Sequence, residues 1–440
     1  MNTRLSTNLA RELEEAVDTA AINQLGFSTR FAARLRCLTP IRMVLCLTST
    51  LGSYSVESIA AMQRAFNYMF GTTVAYKPFY NRLARPAFPK FFVMVLSRLL
   101  EKLAVRTLKA SSLTPLSVFK DIIIQDGTSF AIKSSLKDEY PGRFTTVEPA
   151  AVEVHVTYSA RRDEAISVTV TPDSFAERAE LPDVETLKDC LLLGDRGYPS
   201  AELFASLDDA GGFFLMRVTK SWRPRVVGLM TRSGLEPLAD PVPLQQFLSQ
   251  NQGRSLDLAV TFAKHKHKRC FRMVVVPNTS RRTVKKPAKK DGWVRLCTNL
   301  PAREFTPGLL GQLYRFRWQI ELVFKDWKSY ANLHKFDTGN ADIAEGLIWA
   351  SLCAAVVKRF VAHAAQRIVE EPVSTRRVAM CARHFLPNLM RALSFPHRAY
   401  FRRIWNHALQ FIHINGLRAD PKRDRLSGRL QAGLMEVLST

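Results

Sequence analysis

The stretch Leu313-Tyr-Arg-Phe-Arg-Trp-Gln-Ile-Glu-Leu-Val-Phe-Lys-Asp-Trp-Lys328 decides how this chain is read. Tyr314, Arg317, Glu321 and Lys328 follow one another at intervals of three, four and seven residues. With about 100° of turn per residue, these four fall within about 60° of one another on a helix. One helical stripe then carries a phenol, a guanidinium, a carboxylate and an ammonium. A carboxylate holds a divalent metal, and cationic and phenolic neighbours hold phosphate oxygens. The combination suits metal-dependent chemistry on a nucleic-acid backbone. An amphipathic helix with ordinary i,i+4 ion pairs carries the same pattern, so Glu321 needs acidic partners from elsewhere in the chain.

Phosphodiester chemistry with two divalent metals, roughly 3.5 to 4 Å apart, needs acidic oxygens converging from separate elements. Mg²⁺ keeps several of its waters, so two or three carboxylates suffice. Residues 121–132 are rich in Ile, and 151–159 and 165–171 in Val and Thr, which predicts three strands. Residues 175–188 read as helical despite Pro182. Residues 190–193 form a short apolar strand ending at Gly194-Asp195, 200–210 a helix and 213–218 another strand. Three strands, a helix, a strand, a helix and a strand is the order of an RNase H-like α/β fold. Asp126 lies late in the first strand and Asp195 at the end of the fourth, where open α/β sheets place their sites. Asp121 is five residues from Asp126 and faces the other side of the strand, while Asp189 begins its strand. Gly127 permits close backbone approach, and Thr128 or Ser129 can support the carboxylate. An Asp before a Gly is also a common turn.

The spacing of Tyr314, Arg317, Glu321 and Lys328 resembles the Tyr-Arg-Glu-Lys signature of insertion-sequence-4-like DDE transposases. Asp126-Gly-Thr-Ser129, Asp195-Arg-Gly-Tyr198 and Leu296-Cys-Thr-Asn-Leu300 resemble other motifs of that family, in the same order. The resemblance spans Asp126 to Lys328. It implies DNA transposition with Asp126, Asp195 and Glu321 as catalytic, metal-holding carboxylates, and Mg²⁺ or Mn²⁺ as cofactor, two ions per site. It also implies a homodimer pairing the inverted repeats at its element's ends, first-strand cleavage by water, and attack of the freed 3′-OH on the other strand as a hairpin, then on target DNA. Tyr314, Arg317 and Lys328 would hold the non-transferred strand. Trp293 would stack a flipped base, although a Trp at a strand start is equally a core residue. Two alternatives stand beside this: an RNase H-like nuclease that only hydrolyses DNA, and a catalytically silent DNA-binding descendant of a transposase.

Composition agrees with a nucleic-acid partner. Sixty-three Lys and Arg against 39 Asp and Glu give a net charge of +24, which speaks to partners rather than to fold. The N-terminus has no apolar signal core, and the longest apolar run, 347–357, is too short to span a bilayer. Seven scattered cysteines with no C-x-x-C pair predict neither a disulfide frame nor a zinc site. A bacterial cytoplasmic, nucleoid-associated protein away from membranes is expected.

The expected domain order is 1–115, a helical DNA-binding region; 116–218, the first part of the RNase H-like core; 219–300, an inserted β-rich domain; 301–340, the glutamate helix; and 341–440, a C-terminal helical region. In the first, Ser55 is a predicted helix cap and Gly71 a stop, followed by a short helix bearing Lys77, Tyr80, Arg82 and Arg85. The pair is either a helix-turn-helix with Lys77 and Arg82 on DNA or a plain αα-hairpin. The insertion carries basic runs at 264–269 and 281–290, with Lys285, Lys286, Lys289 and Lys290 as expected phosphate contacts. His265 and His267 lack partners at metal-site spacing and read as surface residues.

Overall fold

The computed structural model describes residues 3–53, 56, 58–103, 115–262, 269–277, 292–332 and 337–418. Apolar residues recurring at helical spacing gather the N-terminal region into α1 (Thr3–Ala16), α2 (Thr19–Ser28), α3 (Pro40–Ser53), α4 (Ile59–Phe70), α5 (Tyr76–Leu83) and α6 (Ala87–Lys102). The α4 cap is Ser58, whose side chain accepts from the Ala61 amide; the expected cap, Ser55, lies outside the described residues. Gly71 ends α4 in the left-handed region at φ 60°, a conformation glycine adopts without a Cβ clash. The Asn67 side chain then pins the turn into α5 through the Val74 amide and carbonyl.

The central sheet is built from β1 (Ile122–Ala131), β2 (Pro141–Phe144), β3 (Glu148–Ser159), β4 (Glu164–Pro172), β5 (Leu191–Gly194) and, after α7 (Ala201–Asp209), β6 (Phe213–Val218). The spatial order is β4-β3-β1-β5-β6. β3 runs antiparallel to β1 and β4, and β5 runs parallel to β1 and β6. This is the RNase H-like order. β2 pairs with the start of β3. The predicted helix at 175–188 is instead two 3₁₀ turns, Glu177–Glu180 and Val184–Leu187. Leu181 is extended between them, Pro182 has no amide to continue a helix, and Asp183 caps the second turn.

The β-rich segment contributes β7 (Arg225–Thr231), β8 (Gly234–Pro243), α8 (Leu244–Gln250), β9 (Leu256–Thr261), β10 (Cys270–Pro277) and β11 (Trp293–Thr298). β11 pairs antiparallel with β6, so core and insertion share one eleven-stranded sheet. The insertion extends the central sheet and covers what would be an open strand edge.

Five helices follow: α9 (Pro307–Phe316), α10 (Trp318–Tyr330), α11 (Ala341–Ile368), α12 (Thr375–Leu393) and α13 (Arg398–Asn415). The single helix expected across Tyr314–Lys328 is broken at Arg317, which ends α9 and begins α10. The Arg317 amide bonds back to Tyr314 and the Ile320 amide to Arg317, three residues apart each time, a local 3₁₀ tightening. The apolar run at 347–357 lies within α11. Its 28 residues are long and apolar enough to cross a membrane, yet 89% of its most apolar window is buried inside the protein. α3, α6 and α12 pack around it.

Candidate active site

The β1–β5 register pairs Gln125 with Gly194. The next residue on each chain is an Asp, so Asp126 and Asp195 stand side by side where the β1–β5 pairing ends; Asp195 follows the last residue of β5, whereas Asp126 falls at the middle of β1, not late in it, because β1 runs on to Ala131 against β3. Ile122 and Ile124 of β1, and Leu191 and Leu193 of β5, pack into the core that also holds Ile320, Val323 and Phe324 of α10. With the two-residue alternation of a strand, Asp126 and Asp195 point to that same face. They open into a cleft lined by Thr128, Arg317, Glu321, Phe324, Lys325 and Lys328. Asp121 and Asp189 sit at the opposite end of these strands. Asp121 accepts from Ser159 Oγ at 2.7 Å, and Asp189 holds a left-handed turn at φ 60°.

Arg317 occupies the centre of the cleft. Its Nη1 donates to Asp126 Oδ2 at 2.5 Å and its Nη2 to Glu321 Oε1 at 2.8 Å. Its Nε is buried with no partner. The Tyr314 hydroxyl donates to Asp195 Oδ1 at 3.1 Å. Lys328 Nζ donates to the Ser129 carbonyl at 2.7 Å, tying α10 to the end of β1. The kink at Arg317 leaves all four stripe residues directed at β1 and the end of β5.

Burial pushes the Asp126 carboxyl up to about 6, against the pull of Arg317, with Asp195 and Glu321 adding to the rise. Burial penalises the Arg317 cation, but Asp126, Tyr314 and Asp195 outweigh that and raise its pKa. Burial and the Asp195 charge raise the Tyr314 phenol, so it stays a donor. Burial lowers Lys328, with Glu148 opposing.

A polar layer lies behind β1. Arg143 Nη2 donates to Glu153 at 3.2 Å and to Glu177 at 3.1 Å. A Cβ at Gly127 would fall 2.4 Å from Glu153 Oε1 and 3.2 Å from His155 Nδ1. This is the close approach that the glycine after Asp126 serves.

Among the described residues, no three His, Cys, Asp or Glu side chains stand as a group ready to hold a metal ion. The donor chemistry still fits one: three carboxylates face a single cleft, and a cation, the Arg317 guanidinium, already bridges two of them. Arg317 stands in for the charge a divalent ion would bring.

Other expected site residues lie apart from the cleft. Trp293 opens β11 half-buried, and its ring packs against the core on the other face of the sheet. Arg82 is turned inward, donating to the Phe31 carbonyl at 2.5 Å and lying over the Phe31 ring. Lys77 is exposed on α5. Lys285, Lys286, Lys289 and Lys290 lie outside the described residues, as do His265 and His267. Arg269, at the end of the first basic run, is paired with Asp209 at 2.6 Å. One cleft residue escaped the sequence reading. Lys325 is exposed in the cleft mouth, four residues after Glu321 and so on the same stripe.

Paired aspartates on two parallel strands facing a helix-borne glutamate, on a sheet of this order, define an RNase H-like enzyme of polynucleotide phosphodiester chemistry. The family described as "Transposase DDE domain" matches residues 118–357, and the chain belongs to that family. It is similar to the transposase of insertion sequence element IS1151 of Clostridium perfringens, with 20% identity over 403 residues and 84% of each chain covered. It is also similar to the transposase of IS231F of Bacillus thuringiensis subsp. israelensis, with 24% identity over 266 residues, 54% of this chain and 56% of that one. Among solved structures it is similar to a piggyBac transposase in a cryo-EM synaptic complex with hairpin DNA. There the TM-score is 0.49 and the identity 10%, with 92% of this chain and 85% of that one covered. The protein is a DDE transposase, an enzyme acting on DNA with divalent metal in catalysis.

Proposed function

We propose that this transposase is of the insertion-sequence-4-like kind, cutting and joining DNA at the inverted-repeat ends of its element through a hairpin intermediate. The observation that carries the reading is the Arg317 bridge, which brings Asp126 and Glu321 together from positions 195 residues apart in the chain. Asp126, Asp195 and Glu321 are the residues that would hold two divalent ions, Mg²⁺ or Mn²⁺. When bound, such ions stabilise the attacking and leaving oxygens of an in-line displacement at phosphorus. In the first step the O–P bond to the leaving 3′ oxygen breaks as a water oxygen bonds to phosphorus. In the second, the freed 3′-OH bonds to a phosphorus of the opposite strand as that phosphorus loses its own 3′ oxygen, which leaves on the flanking DNA.

The chain's other groups grip and orient. Arg317 holds the Asp126 and Glu321 carboxylates together. The Tyr314 phenol donates, and Lys328 and Lys325 supply charge at the mouth. Closing a hairpin needs a base out of the stack, at a cost of a few kcal/mol. An aromatic platform returns about 1–3 kcal/mol per stacked base, and Trp293, half-buried at the start of β11, is the candidate. The working form would be a homodimer pairing two DNA ends in a bacterial cytoplasm.

The test is incubation with the element's own ends, with and without Mg²⁺, resolved on a denaturing gel. Asp126→Asn, Asp195→Asn and Glu321→Gln are expected to abolish cleavage while retaining end binding. Wild-type cleavage by any of the three removes that residue from the site. Cutting that never proceeds to joining favours a nuclease.

A further inference from the structure

The last two described helices carry a feature that the cleft does not use. Residues 372–418 contain eight arginines and no Asp, Glu or Lys. On α12, Arg376, Arg377, Arg383 and Arg391 are all exposed. They fall within about 120° of one another around the helix. On α13, Arg398, Arg402 and Arg403 are exposed as well. The opposite side of α12, with Val378, Phe385 and Leu389, is buried against the protein. Among the described residues, none of the seven exposed arginines is ion-paired to a carboxylate. Glu14 lies near Arg398 and Arg402, and Asp326 near Arg376, close enough to be felt electrostatically. The rest of the face has no counter-charge within the hairpin's own sequence.

We infer that the outer face of the α12–α13 hairpin is a second duplex-DNA surface, gripping phosphates away from the catalytic cleft. This rests on the transposase reading and extends it to a region whose role the motifs leave open. Arginine's planar fork matches phosphate oxygens, and its charge is permanent. At about 1.5 Å per residue, α12 is about 28 Å long, enough to flank most of one duplex turn. Duplex DNA presents one charge per about 1.7 Å of axis, so several arginines meet phosphates at once. The apolar side of α12 is already spent on α3 and α13, so the hairpin has no apolar stripe to bury in lipid. A second copy of the same face would be repelled.

The experiment uses the full chain with all three of Arg383, Arg391 and Arg403 changed to Gln, and the same three changed to Lys. Binding to a generic duplex is measured across salt concentrations, alongside thermal melting. Each phosphate contact contributes about 0.9 to the log–log salt slope. The Gln variant is therefore expected to lose about 2 to 3 from the slope with unchanged melting, and the Lys variant to keep most of it. A wild-type slope in a folded Gln variant overturns the inference. So does a Gln variant that loses binding to phosphatidylserine vesicles but not to DNA. If wild-type protein itself shows no salt-dependent DNA binding, the DNA reading of the whole chain fails, which is a different result.

Discussion

Removing the Arg317 charge should make the three-carboxylate cleft a better metal site. Arg317→Met keeps most of the apolar stem and deletes the guanidinium. In the protein that guanidinium holds Asp126 and Glu321 through bonds of 2.5 and 2.8 Å. A hydrogen bond to a charged group contributes about 1.5–3 kcal/mol. A divalent ion that takes both carboxylates must break both bonds, a cost of roughly 3–6 kcal/mol before screening. Glu321 is 34% exposed, so its share is discounted, leaving about 3 kcal/mol. At about 1.4 kcal/mol per tenfold, Mn²⁺ should bind Arg317→Met without DNA up to about a hundredfold more tightly than it binds wild type. Free Mn²⁺ counted by electron paramagnetic resonance reads this directly. The variant without metal should also melt lower, because three carboxylates then face one another unbridged, and it should gain more from added Mn²⁺. Equal or weaker Mn²⁺ binding by a variant that still melts cooperatively would refute the stand-in role of Arg317.

Three further outcomes follow from the geometry. Gly127→Ala drives a methyl into Glu153 Oε1, on a carboxylate that Arg143 holds through Oε2; overpacking of this kind costs about 1–3 kcal/mol, read by denaturant melting, and cleavage should fall as Asp126 shifts. Burial, with Glu177 adding and Arg143 opposing, pushes Glu153 up to about 7, above its unfolded value. Its ionisation therefore opposes folding: stability falls as pH rises from about 4 to 7. Glu153→Gln should be the more stable protein at pH 8 by a few kcal/mol at most, with the gap closing near pH 4; a gap independent of pH contradicts the shift. Trp293→Ala is expected to nick normally and accumulate nicked DNA with little hairpin. Loss of cooperative melting would instead assign Trp293 to the core beneath β11.

Much of this was legible because it is local. Runs of Ile, Val and Leu wrote β1, β3 and β5 into the chain, and a strand's alternation chose Asp126 over Asp121. The Tyr314–Lys328 stripe was visible as a period. The break at Arg317 was not, since neither Gly nor Pro marks it; it shows only in the three-residue backbone bonds of the fold. Residues 175–188 have helical composition, but one proline and a capping aspartate divide them. Lys358 and Arg359 interrupt the apolar run of α11. In the fold those charges are buried: Lys358 donates to the Gly52 and Tyr330 carbonyls, and Arg359 pairs with Asp163 at 2.7 Å. Such long-range pairing has no trace in spacing.

The shared sheet has a consequence for how this protein can change. β11 seals the outer edge of β6, and Met273, Val275 and Cys297 complete the apolar core that Phe204 and Phe214 begin. Excising 219–299 would thus do more than shorten the chain. It would bare a hydrogen-bonding strand edge beside an uncovered apolar surface, the setting in which chains stack onto one another. A truncated copy would be expected to aggregate before it had any chance to act as a smaller nuclease.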